Sequence, residues 1–362
     1  MPDAGPAKAS AIGGGRPAGR PELWPSGGDF PIYDALSYLM MTRDQERSGR
    51  FHEAVAAASR GQFVVDLGAG EDLNWARAAA SSGASRVVAI EESPESYARA
   101  LAKMAQDPPA RSVEVILGNS LDVDLGESAD ILVSETIGNI GSSEGAAVTL
   151  SRARGTLLKQ DGLVIPDSVR TFGALGNLRG LLGTDTPAFG SAAKHYVDAI
   201  FRWWGGPFDV RLAIANPIQS ELYSDPIELE RLEFNSTISE TDSRIGPVAV
   251  TRDGVVDCLM CWIELSVAPD LPPLDTLRVP TSWSPCVMVF PESISVTQGQ
   301  SGVMRFESRL SDDGLHPDYF VDLELNRSPS NVNVVLESLH HAGTFGGTAF
   351  YRELFAGWSS RV

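Results

Sequence analysis

The sequence predicts a two-part chain, an α/β unit followed by an all-β unit. Three observations carry this. Short apolar runs at Phe63-Val64-Val65-Asp66-Leu67, Arg86-Val87-Val88-Ala89-Ile90, Val113-Glu114-Val115-Ile116-Leu117 and Ile131-Leu132-Val133 read as buried parallel strands separated by helical stretches. The first of them runs directly into Gly68-Ala69-Gly70 and then a helix from Asn74 to Ser81, the first βα unit of a doubly wound sheet. After Pro166 the pattern changes to period-two alternation between turn residues, as in Cys286-Val287-Met288-Val289-Phe290 and Phe320-Val321-Asp322-Leu323-Glu324-Leu325, with no βα alternation.

The chain begins with a Gly/Pro/Ala-rich stretch, residues 1–28, which buries little and is expected to be disordered or a loosely ordered arm. From Tyr33 to Ala58 apolar Leu36, Leu39, Met40 and Val55 recur among charged residues without an internal proline, which predicts one or two helices covering the next unit. These helices and the α/β unit form one domain, 29–166, and the all-β unit a second, 167–362. A length of 362 residues suffices for a core in each.

Composition narrows the function classes. The formal charge of −18 argues against nucleic acid, whose binders need a basic footprint, and favours cationic partners. No apolar run approaches the roughly 20 residues of a membrane span, and the N-terminus lacks the apolar core of a signal peptide, so a cytoplasmic protein is expected. Cys258 and Cys261 form a CxxC within a strand pattern, where positions three apart face opposite ways, so no metal site is expected there.

Two stretches carry chemistry. The second strand ends in Glu91, about 20 residues past the Gly68/Gly70 turn, where an acid can accept hydrogen bonds from both ribose hydroxyls of a nucleoside. The fourth strand delivers Ser134-Glu135-Thr136-Ile137-Gly138-Asn139-Ile140-Gly141-Ser142-Ser143-Glu144, two carboxylates nine residues apart on a glycine-containing loop. A planar guanidinium is the cation whose forked donors best suit such a pair.

In this order, Asp66-Leu67-Gly68-Ala69-Gly70, Glu91, and Ser134-Glu135 with Glu144 resemble the S-adenosylmethionine-dependent protein arginine methyltransferase family. Met41-Thr42-Arg43-Asp44 with Arg47, Lys159 to Pro166, Trp203 to Asp209, and Thr281-Ser282-Trp283 extend the resemblance over roughly residues 30–360. It implies a Rossmann-like S-adenosylmethionine-binding domain, a β-barrel domain, and a homodimer formed through an arm at about 184–216. It implies a cofactor site of Arg47, Asp66, Gly68, Gly70, Glu91, Ser120 and Tyr38, with Arg47 on the cofactor's carboxylate. Met41, Tyr33, Ser282 and Trp283 would border the substrate, and Glu135 and Glu144 would clamp an arginine guanidinium, one of them taking its proton. Two positive centres, a sulfonium and a guanidinium with a pKa above 12, must meet in this reaction, and the two glutamates offset that repulsion.

Several positions depart from the family pattern. Asp72 stands in place of a third glycine, adding a carboxylate beside the cofactor turn that would either move the loop or meet the cofactor's ammonium. Ser282 replaces a histidine, Tyr38 another, and Leu121 an acid near the adenine. His340 and His341 precede a Gly/Thr-rich turn and are not expected to substitute for them. The Ala/Gly-rich composition and the altered Thr281–Trp283 loop incline the expected substrate toward free L-arginine in small-molecule biosynthesis, with protein arginine as the alternative. A catalytically inactive binding module and a methyltransferase for another amine or hydroxyl are the competing readings.

Overall fold

The computed structural model describes residues 19–30, 32, 41, 43–106, 112–341, 347–356 and 358. The sites expected at Tyr33 and Tyr38 lie outside the described residues.

The α/β unit is built on a five-stranded parallel sheet in the order β4-β3-β2-β5-β6. Its strands are β2 (Phe63–Leu67), β3 (Arg86–Glu91), β4 (Val113–Leu117), β5 (Ala129–Ser134) and β6 (Leu158–Ile165). Every residue of β2 is buried, as is required of a central strand covered on both faces. On one face α1 (Gln45–Ala58) packs Phe51, Ala54 and Val55 against Trp75, Ala76 and Ala79 of α2 (Asn74–Ser81). The rings of Phe51 and Trp75 stack there, 4.8 Å between centroids. The sheet is completed by α3 (Pro94–Met104), capped by the Ser93 hydroxyl, and α4 (Ala146–Thr156), which starts from Gly145 in a left-handed conformation, φ +82°. The strand order reverses between β2 and β5, so the crevice beyond their carboxyl ends is the topological switch point where α/β sheets bind ligands. Leu67 and Ser134 are paired at that edge, which sets the Gly68 turn beside the loop that begins with Glu135.

The second unit consists of two antiparallel sheets closed against each other as a barrel. One runs β1-β8-β13-β11-β7-β9 with β12 beside β11, and the other β10-β14-β15-β16. The strands are β1 (Glu22–Pro25), β7 (Ser168–Gly176), β8 (Leu212–Ala215), β9 (Ile227–Glu233), β10 (Asp242–Ala249), β11 (Gly254–Ser266), β12 (Leu274–Asp275), β13 (Cys286–Val296), β14 (Ser301–Leu310), β15 (Pro317–Leu325) and β16 (Val332–Ser338). Tyr319, Val321, Leu323 and Leu325 alternate into the core between the sheets, where Met304 and Phe306 meet them. Between β7 and β8 rise α5 (Leu178–Leu182) and α6 (Ser191–Trp204), and α7 (Ala349–Leu354) packs beside them.

Two sequence expectations need correction. The expectation of a disordered or loosely ordered segment over 1–28 fails at Glu22–Pro25, a strand paired antiparallel with Leu212–Ala215, with Leu23 buried in the core. Its four residues carry too short an alternation to stand out beside Pro21 and Pro25. That partner strand lies within 184–216, so the last residues of the expected arm belong to the barrel sheet. Cys258 and Cys261 lie on a strand, as their pattern predicts. They are free, buried and on opposite faces of β11, in different core clusters. No helix among the described residues is long and apolar enough to cross a membrane.

Candidate active site

The site is assembled from both ends of the switch point and from one loop of the barrel. After β2, Gly68 and Gly70 take left-handed φ values of +67° and +64°, a conformation glycine adopts without the clash a Cβ would bring. Glu91 is 8% exposed and fastens this turn. One carboxylate oxygen accepts from Gly70 N at 2.8 Å and the other from Ser93 N at 2.8 Å. Each oxygen keeps a further lone pair, so the carboxylate can hold the turn and still accept from a ligand. Asp66 is placed differently from expectation. It is wholly buried beneath the turn, where Oδ2 accepts from Ala76 N at 2.9 Å, and burial pushes its pKa up to about 8. Its part is to brace α2 on β2 and not to face a ligand. Ser120 lies in the turn after β4, half-buried, next to Leu121, whose N–H is held by the Asn119 side chain.

Asp72 does not turn toward the crevice floor as a free carboxylate. Its Oδ1 pairs with Lys103 Nζ at 2.6 Å, and Glu71 takes the same lysine at 2.6 Å. The extra acid is thereby matched by a cation of α3.

The covering helix supplies the decisive cation. Asp44 caps α1, accepting from Arg47 N at 3.0 Å through Oδ1, while Oδ2 accepts from Ser282 N at 2.7 Å and Ser282 Oγ at 3.0 Å. Asp44 and Arg47 are therefore no surface ion pair. They tie the helix to the barrel loop of Thr281–Trp283. Arg47 is 4% exposed; Nη1 donates to Ser282 Oγ at 3.2 Å and Nη2 lies 2.9 Å from Glu135 Oε2. Trp283 differs from its expected place at the substrate. It is 4% exposed, donates from Nε1 to Ile137 O at 2.6 Å, and presents its ring 5.4 Å from the Arg47 guanidinium carbon. It supports the glutamate loop from behind. Met41 is helical and half-buried.

Glu135 and Glu144 come together as the sequence predicts. Burial pushes the Glu135 carboxyl up to about 7 against the pull of Arg47, with Asp44 adding to the rise. Glu144 is raised well above the ordinary range by burial and then by the charges of Glu135 and Asp29. Two carboxyl groups each pushed toward the neutral form, near enough for the charge of one to raise the other, would both be stabilised by a further cation. The N-terminal segment closes one side of it: a Cβ on Gly28 would stand 1.8 Å from Glu144 Oε1. Asp29, next in the chain, is held by Arg211 at 3.1 Å, both groups buried.

The S-adenosylmethionine implied by the sequence can be tested against this geometry. Arg47 Nε is buried without a hydrogen-bond partner, a donor still lacking the acceptor that a carboxylate would bring. With the Gly68 turn and the spare lone pairs of Glu91, the residues present fit the group.

No protein-family model matches the chain. A probable histone-arginine methyltransferase 1.4 of Arabidopsis thaliana is 37% identical over 143 residues, 38% of this chain and 26% of that protein. An arginine N(omega)-methyltransferase of Streptomyces achromogenes subsp. streptozoticus is 30% identical over 244 residues, 64% of each. Both matches span less than two thirds of the relative's length. The solved PRMT1 enzyme-prozyme heterotetrameric complex of Trypanosoma brucei with AdoHcy superposes at a TM-score of 0.64 with 17% identity, over 83% of this chain and 97% of that one. The chain is similar in sequence to arginine methyltransferases. Its α/β unit, barrel and interposed helices are the fold of these methyltransferases.

Sequence reasoning missed Asp29, Arg211 and Glu230. Glu230 had a signal. The apolar positions of its strand fall at 227, 229, 232 and 234, a step of three amid steps of two, and a bulge in this strand at Leu229, opposite Thr171/Phe172, accompanies the inward turn of Glu230. His340 is no ligand to a metal with its neighbours Asp313 and His316. The two imidazole planes are 6° apart at 4.2 Å, so their in-plane lone pairs run parallel and do not converge on one ion.

Proposed function

We propose that this chain is an S-adenosylmethionine-dependent N-methyltransferase acting on a guanidino nitrogen of arginine. The observation that carries the reading is the half-buried pair Glu135 and Glu144 on the loop after β5, both carboxyls pushed toward neutrality and both stabilised by an incoming cation. The cofactor, when bound, supplies an electrophilic methyl group. Everything else is the work of this chain. Arg47 holds a carboxylate, the Gly68 turn and Glu91 hold a nucleoside, and the two glutamates hold the guanidinium with one nitrogen turned toward the methyl group. A guanidinium that gains a carbon must shed one proton to remain a monocation. Glu144 is the better acceptor, because Arg47 lowers the basicity of Glu135 more directly, from 2.9 Å.

The favoured substrate is free L-arginine, in small-molecule biosynthesis. Two things support it: the Streptomyces relative is named for that amino acid, and the N-terminal segment around Gly28 and Asp29 crowds the Glu144 side of the crevice. We further propose a cytoplasmic homodimer that docks through α6, whose Trp203 and Trp204 are each 44% exposed. Labelled S-adenosylmethionine offered separately with free arginine and with an Arg/Gly-rich peptide tests the substrate. Label in the free amino acid is expected; label in the peptide alone would make the substrate a protein. Calorimetry with S-adenosylhomocysteine tests the cofactor, and absence of binding would leave a methyltransferase-shaped module.

A further inference from the structure

A third buried glutamate grips the loop from the barrel side. Glu230 on β9 is 1% exposed. Its Oε1 accepts from Ser142 Oγ at 2.5 Å, and its Oε2 accepts from Ser142 N and Thr171 Oγ1, each at 3.1 Å. Thr171 Oγ1 in turn accepts from Gly141 N at 2.9 Å. The Ser142 hydroxyl spends its proton on Glu230, so the Tyr319 hydroxyl, 2.8 Å away, donates to it. Ser142, Thr171, Glu230 and Tyr319 are all between 0 and 3% exposed. Three hydrogen-bond donors thus converge out of water on one carboxylate, with Tyr319 behind Ser142, at the segment that leads directly into Glu144.

Contact geometry adds a second constraint. A Cβ on Gly141 would stand 2.8 Å from Val169 Cγ1 and 3.1 Å from Glu230 Oε2, so the loop backbone lies flat on the barrel sheet there. The loop therefore has two anchors of different origin. Glu135 leaves directly from β5 of the parallel sheet, whereas Ser142 is held by β7, β9 and β15 of the barrel. The spacing of the two guanidinium-binding carboxylates depends on both.

We propose that Glu230 is a positioning residue: by fixing Ser142 it sets where Glu144 stands relative to Glu135. This rests on the guanidinium-clamp reading of those two glutamates. A shift of about 1 Å at a reacting centre costs up to about 100-fold in rate, so a hydrogen-bonded anchor two residues from Glu144 acts on turnover and not on cofactor binding. Glu230→Gln keeps the shape and volume but turns an acceptor into a donor facing Ser142. Thr171→Val removes the acceptor for Gly141 N and one donor to Glu230 while leaving the carboxylate itself in place.

In both variants kcat is expected to fall about 10- to 100-fold, with the Kd for S-adenosylhomocysteine within twofold of wild type and amide hydrogen exchange faster at Gly141 and Ser142. Turnover within twofold of wild type together with unchanged exchange at those amides would overturn the proposal. Loss of S-adenosylhomocysteine binding in step with kcat would also overturn it, by making Glu230 a general domain brace. If the wild-type protein methylates no guanidine, the clamp reading falls, and the exchange measurement still decides whether Glu230 holds the loop.

Discussion

Arg47 and Glu135 meet across the interface of the covering helix and the sheet, Nη2 to Oε2 at 2.9 Å, with side chains 5% and 15% exposed. Arg47 thereby serves two sites. Its Nη2 restrains a glutamate of the guanidinium clamp, and its unpartnered Nε awaits a carboxylate. A charge-assisted hydrogen bond contributes about 1.5–3 kcal/mol, so Arg47→Ala is expected to weaken S-adenosylhomocysteine binding about 10- to 100-fold in calorimetry. Arg47→Lys should recover only part of the loss, because an ammonium lacks the forked donors.

Glu135→Gln and Glu144→Gln should each lower turnover about 100- to 1000-fold, the scale for removing a preorganised electrostatic partner. S-adenosylhomocysteine affinity should hardly change in Glu144→Gln. Rates near wild type in either variant would remove the clamp mechanism.

The carboxyl groups dictate a pH dependence whose sign can be worked out. Glu135 rises from 4.5 to about 7 on folding, so the folded protein binds the proton more tightly than the unfolded chain. Its contribution to stability is full below pH 4.5 and is lost as pH rises through about 7. Melting temperatures of Glu135→Gln should therefore fall less steeply than wild type between those limits. A bound guanidinium reverses the preference, since it favours the ionised pair. Arginine binding should release protons near pH 6–7 and tighten with rising pH, which titrations in buffers of different ionisation enthalpy would register.

Gly28→Ala tests the crowding of Glu144. The added methyl would fall 1.8 Å from Oε1, so the carboxylate must move. Turnover is expected to drop at least 10-fold while the melting temperature changes little, because the displaced group is the end of a side chain.

Trp283→Phe removes the donor to Ile137 O but keeps an aromatic ring behind Arg47. A buried carbonyl left without its partner costs about 1–3 kcal/mol, which urea unfolding should show as a lower midpoint with an unchanged slope.

Much of the site was legible in the sequence, because its pieces are local. Phe63–Leu67 running into Gly68-Ala69-Gly70, Glu91 at the next strand end, and Glu135 with Glu144 nine residues on are all patterns within one strand and its turn. Hydrophobic periodicity and glycine placement determine such units from within. Asp66 and Trp283 kept their positions in the chain but not their expected places at the ligand, since burial depends on what packs over a residue. Tertiary structure alone decided that Asp44 would reach Ser282, 238 residues away, that a strand at Glu22–Pro25 would pair with Leu212–Ala215 and bring Gly28 against Glu144, and that Glu230 would hold Ser142. Each joins groups distant in the chain whose hydrogen-bonding needs are met only once water is excluded, and no local pattern records which partner burial will provide.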